Sequence, residues 1–251
     1  MELYTITSRF EINVLESNVN PITAADWAQK HRCPAVVVGP QHVAPLMANR
    51  AAKSGQYHII AALDFPKGSH FAMDKLRIAG QDFSVCDGVD VLLTGGRTQV
   101  ETRNEIKALY EFLRAMNMYE IRYVLGAYTR SREELVNMLV GMKQFPPRWI
   151  RLDQHMRKPN VATGHHKGMA ELFKLHMPTP LKVGCNVDWD TVKALRDTKF
   201  RFDVTLDQAI GIVKDYEKEE REKAEQKRLD LAAVAEKAIK EADKVQLHDA
   251  D

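Results

Sequence analysis

The stretch Ala62-Leu63-Asp64-Phe65-Pro66-Lys67-Gly68 decides how this chain is read. An apolar, β-branched run from Ile59 to Leu63 stops at an acid, followed by Phe-Pro, a base and a glycine. That order marks a buried strand that ends at a rim and turns toward a helix. Seven more short β-rich runs extend the pattern on both sides. They are Phe10–Leu15, Ala35–Val38, Val89–Thr94, Ile121–Ala127, Trp149–Leu152, Leu181–Asn186 and Phe200–Val204, with Tyr57–Leu63 completing eight.

Helical segments are expected between most of these runs. Thr23–His31 follows Pro21 with Thr23 as a plausible N-cap, and His42–Ser54 follows Gly-Pro. Met73–Phe83 and Thr102–Met116 carry apolar residues at three- and four-residue spacing. Ser131–Met142 opens on a capping box, and Gly168–Leu175 and Asp190–Arg196 complete the set. Such alternation predicts an α/β fold, a closed (β/α)8 barrel, with an open doubly wound sheet as the alternative. The barrel is expected over residues 1–216. Residues 217–251 are expected to form a long, charged helical extension, because Glu217/Arg221 and Glu219/Lys223 sit at four-residue spacing. A sparse apolar stripe, including Leu231, Val234, Ala238, Ile239 and Val245, returns late in that segment. It predicts docking on a second copy or another protein, against the plainer alternative of a solvated extension.

An apolar fraction of 45% and a charged fraction of 28% are ordinary for a globular protein. A formal charge of +2 gives no bulk argument for nucleic acid. Cys33, Cys86 and Cys185 are widely spaced, without zinc or redox spacing, which suggests a reduced, cytoplasmic setting. No window reads as a signal peptide or a membrane span.

The motifs, taken in order, resemble those of deoxyribose-phosphate aldolases, the class I aldolase barrel group, over roughly Phe10 to Asp215. Phe10-Glu11-Ile12-Asn13 is similar to the first strand of that family and Ala35-Val36-Val37-Val38-Gly39-Pro40 to the second. Asp64-Phe65-Pro66-Lys67-Gly68 resembles its Asn-Phe-Pro-His-Gly. Gly88-Val89-Asp90-Val91-Leu92 resembles its fourth strand, whose Asp belongs to a proton relay. The resemblance therefore implies a carbon–carbon lyase ancestry and a proton-relay place for Asp90. Two departures stand against ordinary activity. Trp149-Ile150-Arg151-Leu152-Asp153 puts Arg151 where the family has its imine-forming lysine, and a guanidinium stays protonated. Val183-Gly184-Cys185-Asn186-Val187 puts Asn186 where the family has its second lysine. The phosphate-binding turns are also replaced, with Asp188 and Asp203 placed where they would repel a dianion.

Asp90, Arg151, Asn186 and Asp64 are accordingly the candidate catalytic positions. Lys67, Gly68, Thr94, Asp153, Asp188 and Asp203 are the candidate positions around a small carbonyl or sugar ligand at the rim. Arg151 is expected to pair with Asp90 or Asp153. Lys182 shares the inward parity of Asn186 but falls about 13 Å lower, near the barrel floor. Asp64, Asp90, Asp153 and Asp188 are expected near the C-terminal strand ends. These rim acids could instead hold Mg²⁺ or Mn²⁺, form an acid-base pair, or simply be ion-paired, helix-capping or solvated. No metal ligand set and no cofactor is assigned. Three functional readings follow: a barrel without imine chemistry that binds, assembles or does reassigned chemistry; a lyase on a small aldehyde or sugar using Asp90; and nucleotide or nucleic-acid binding through the basic loop 154–167. The last has no interleaved aromatics to support it.

Overall fold

The computed structural model describes residues 2–15, 18–65, 68–82, 85–126, 130–152, 167–169, 171, 173, 177, 179–184 and 187–248, with side chains to 237 in the last segment. Eight parallel strands close into a barrel in sequence order: β1 Phe10–Asn13, β2 Ala35–Val38, β3 His58–Leu63, β4 Gly88–Leu92, β5 Glu120–Val124, β6 Trp149–Arg151, β7 Leu181–Val183 and β8 Arg201–Thr205. The ring is sealed by β1 against β8, with Glu11 opposite Asp203. The open-sheet alternative is thereby excluded.

The helices are α1 Leu3–Thr7, α2 Pro21–Lys30, α3 Val43–Lys53, α4 Ala72–Asp82, α5 Gln99–Ala115, α6 Arg132–Gln144, α7 Trp189–Ala194 and α8 Leu206–His248. Ser131 and Glu134 form the expected capping box of α6. A second box, Thr98 with Glu101, starts α5 one turn earlier than its apolar spacing suggests. Thr23 is not the N-cap of α2. Asn20 accepts the Ile22 N–H at 2.8 Å, and Pro21 takes the first helical position, where its missing N–H costs nothing. The expected helix 168–175 lies partly outside the described residues, of which 167–169, 171 and 173 are helical.

Strand parity explains where the core sits. Phe10, Ile12, Val36, Val38, Ile59, Ala61, Val89, Val91, Ile121, Ile150, Val183, Phe202 and Val204 belong to the large apolar cluster shared with the helices. The alternate positions line the barrel lumen. On β2 and β3 these are apolar: Ala35, Val37, Ile60 and Ala62 form a separate small cluster. On the other strands the mid-strand inward positions are charged, namely Glu11, Asp90, Arg122, Arg151, Lys182 and Asp203, all buried. Asn13, Leu92 and Val124 share the parity of Glu11, Asp90 and Arg122 without charge. The lumen is therefore aliphatic on the β2–β3 side and carries an ionic cluster on the other strands.

Helix α8 runs 43 residues, about 65 Å at 1.5 Å per residue. Its first turns pack on the barrel through Ala209 and Ile212. Tyr216 meets Trp189 edge-on at 5.5 Å, and Glu219 accepts from Trp189 Nε1 at 2.7 Å. Every described side chain from Arg221 to Lys237 is exposed, including Leu229, Leu231 and Val234. Among the described residues no helix is long and apolar enough to cross a membrane.

Candidate functional site

The lumen charges fall into two interleaved layers, as alternate strands of a barrel require. Odd strands supply Glu11, Arg122 and Lys182; even strands supply Asp90, Arg151 and Asp203. Within the first layer Glu11 Oε2 accepts from Arg122 at 2.6 Å and from Lys182 at 2.7 Å. Glu11 Oε1 accepts from Arg201 at 3.0 Å. In the second layer Arg151 pairs with Asp203. Asp90 links the layers, 3.5 Å from Lys182 Nζ and 3.8 Å from Arg122. The six buried groups balance, three acids against three bases. At the floor end Arg122 also pairs with Glu120, and Arg201 lies over the Trp149 ring at 4.2 Å.

The electrostatics follow from this packing. Burial alone would raise the Glu11 carboxyl, but Arg122 and Lys182 together outweigh it and bring it down to about 2. Burial opposes charge on Arg122 too, yet Glu11, Asp90 and Glu120 hold its guanidinium above the ordinary value. Each charge persists only because its partners do.

These positions correct two expectations. Asp90 is not at the rim: it is the third residue of β4, fully buried, and its neighbours Lys182 and Arg122 belong to the lower layer. Asp203, expected at the rim, is instead an interior residue that ion-pairs with Arg151. Asp153, the other partner expected for Arg151, lies outside the described residues, as do Lys67, Asn186 and all of the basic loop 154–167 except Lys167. Asp188 caps α7, accepting the Thr191 N–H at 2.8 Å. Glu11 was not among the expected positions; its signal was an acid at inward parity between Phe10 and Ile12.

Asp64, Gly68 and Thr94 do come together, at the C-terminal ends of β3 and β4. Asp64 adopts φ +67, a left-handed conformation uncommon outside glycine. Its carbonyl accepts the Gly68 N–H at 2.9 Å. Gly68 itself has φ +63, and a Cβ there would stand 2.7 Å from the Leu92 side chain, so the turn requires glycine. The Asp64 carboxylate accepts from Lys75, fully buried on α4, at 3.1 Å. Lys75 also reaches Leu92 O at 2.6 Å, Thr94 Oγ1 at 2.9 Å and Glu105 at 2.5 Å. Lys75 and Glu105 were not anticipated, since only their tertiary neighbours distinguish them from solvated helix residues. Among the described residues no group of three or more His, Cys, Asp or Glu side chains is arranged to hold a metal ion.

The sequence matches no protein-family profile and no curated protein. Solved structures do resemble it. A tetrameric deoxyribose-phosphate aldolase from Aeropyrum pernix superposes with a TM-score of 0.74 at 12% identity, covering 86% of this chain and 92% of that one. The chain folds as deoxyribose-phosphate aldolases do. A Coccidioides immitis protein assigned to that aldolase class gives 0.70 at 13% identity, covering 86% and 87%. KGPDC from Streptococcus mutans is more distant, at 0.54 and 11% identity, covering 82% and 95%. The aldolase-type barrel is thus established as architecture, while chemistry rests on the residues themselves.

Proposed function

We propose that this aldolase-type barrel does not form an imine with its substrate and serves instead as a binding and assembly protein. One observation carries the reading: Arg151, at the strand position where the resemblance expects the imine-forming lysine, is fully buried and ion-paired with Asp203. An imine needs an amine that a carbonyl can reach. The amine among the described lumen residues, Lys182, is fully buried between Glu11 and Asp90. Asp90 is itself committed to Lys182 and Arg122, which weakens the case for it as a proton relay to a rim ligand.

Assembly is supported by α8. Past Glu219 no described side chain of the helix is buried against the barrel, yet Leu229, Leu231 and Val234 stand exposed on it. An isolated helix of that kind is marginal in water and gains most by packing on another chain. A reduced, cytosolic setting fits the wide spacing of the three cysteines, of which Cys33 is buried and Cys86 half-buried. Burial pushes the Cys86 thiol up to about 12, so it is poorly reactive.

The test has two arms on the purified full chain. Incubation with deoxyribose 5-phosphate should release no acetaldehyde above the buffer rate. Deleting residues 224–251 should leave the melting temperature nearly unchanged while lowering the mass seen by light scattering. Turnover would overturn the first half of the reading, and an unchanged mass would overturn the second.

A further inference from the structure

We infer that His70 is a proton-accepting imidazole, oriented by Asp64, that serves a small polyhydroxylated ligand in the cleft beside Phe71 and Arg97. The site lies at the outer rim and shares no residue with the lumen network, so it stands independently of the reading above.

The geometry begins with Asp64, whose side chain is 1% exposed while that of His70 is 52% exposed. The carboxylate accepts the His70 backbone N–H at 3.1 Å and contacts ring Nδ1. That contact assigns the ring proton to Nδ1 and directs Nε2 away from Asp64. No described residue bonds Nε2. Behind Asp64, Lys75 fixes the carboxylate from the buried side, and Glu105 and Thr94 fix Lys75. Thr94 Oγ1 also lies 3.1 Å from the His70 carbonyl. A strained left-handed Asp64 is thus held in place by a fully bonded set, an expenditure typical of functional sites. A buried carboxylate behind a half-exposed imidazole is an arrangement suited to general-base work.

The adjoining cleft, of about 330 Å³, begins at Phe71 and shares Thr94 and Glu105 with this cluster. Its remaining polar groups are Arg97, Glu101 and Asn104. Arg97 lies over the Phe71 ring at 4.4 Å. Glu101 is occupied as the partner of Thr98, and Glu105 as the partner of Lys75. What remains is an aromatic ring, a carboxamide and the Arg97 guanidinium, whose Nη1 lies at the long distance of 3.9 Å from Glu101 Oε1. That set suits the C–H face and hydroxyls of a sugar or polyol better than an apolar ligand. In the step we infer, a ligand O–H bond breaks and an Nε2–H bond forms. The imidazolium charge is met by Asp64, and the oxygen's negative charge by Arg97.

Carbethoxylation by diethyl pyrocarbonate, followed by peptide mass spectrometry on the full chain, tests this. His58 has a similar exposure, 56%, and its carboxylate neighbour Glu120 stands 3.9 Å from Nδ1 and is part-exposed rather than buried in contact, so it serves as the internal reference. His70 should react about tenfold faster than His58, and Asp64→Asn should remove that advantage, as expected when a neutral amide replaces a charged acceptor. Millimolar D-ribose should slow the His70 reaction and leave His58 unchanged. If Asp64→Asn does not fold, the comparison within the wild-type chain carries the test. Equal rates at His70 and His58 would overturn the inference. Fast reaction at His70 without protection by ribose would overturn its ligand.

Discussion

Replacing Glu11 with Gln is expected to destabilise the protein by about 3–5 kcal/mol, the cost of leaving buried charge without its counterion. Glu11 is the hub of the lower layer, accepting from Arg122, Lys182 and Arg201 at once. Glutamine keeps the volume and removes the charge, leaving two fully buried cations facing Asp90. The same residue sets the acid limit of the fold. Its folded value of about 2 lies below the ordinary 4.5, so the unfolded chain binds the proton more tightly. Stability from this group is therefore complete above about pH 5 and is lost as pH falls from about 4.5 toward 2, amounting to about 3 kcal/mol. Denaturant melts between pH 6 and 3 should show that slope in the wild type and a shallower one in Glu11→Gln. Equal slopes would mean that Glu11 is not the ion-paired hub.

The second large effect is expected at the upper layer. Arg151→Met should cost about 3 kcal/mol, because the buried Asp203 loses its guanidinium. Asp203→Leu alone should cost a similar amount for the converse reason. The double variant should recover most of the loss, since an apolar pair of like volume often replaces a buried ion pair at little cost. A coupling of about 2 kcal/mol or more in this cycle identifies the pair as mutual partners. Additive losses would show that Arg151 and Asp203 act separately.

Much of the fold is legible in the chain because β2 and β3 read as continuous apolar runs and the charged strands alternate. Phe10 and Ile12 flank Glu11, and Ile121 and Tyr123 flank Arg122, so apolar positions mark the helix-facing side even where the inner side is charged. The capping box at Ser131 is local and can be read directly. The N-cap of α2 is harder: Asn20 and Thr23 are both suitable, and only the position of Pro21 separates them.

The site is less legible for a physical reason. Glu11 and Lys182 are 171 residues apart, and Glu11 and Arg122 are 111 apart. Strand parity shows that each points inward but not at what depth, and depth decides whether an acid reaches the rim or a base. Asp90 and Asp203 read as rim carboxylates for that reason, whereas the closed register sets both inside. His70 and Lys75 gain meaning only when α4 folds back over the end of β3, bringing both to Asp64.

The proposed lack of imine chemistry follows from a lumen whose described charges are committed to ion pairs. The most direct test is to treat the full chain with acetaldehyde and borohydride and map reduced adducts by peptide mass spectrometry. The lumen pairing predicts no adduct at Lys182, and none at buried Lys75, above the level found on exposed lysines. A stoichiometric reduced adduct on Lys182 would contradict it, because that lysine would then be open to a carbonyl rather than bound between Glu11 and Asp90.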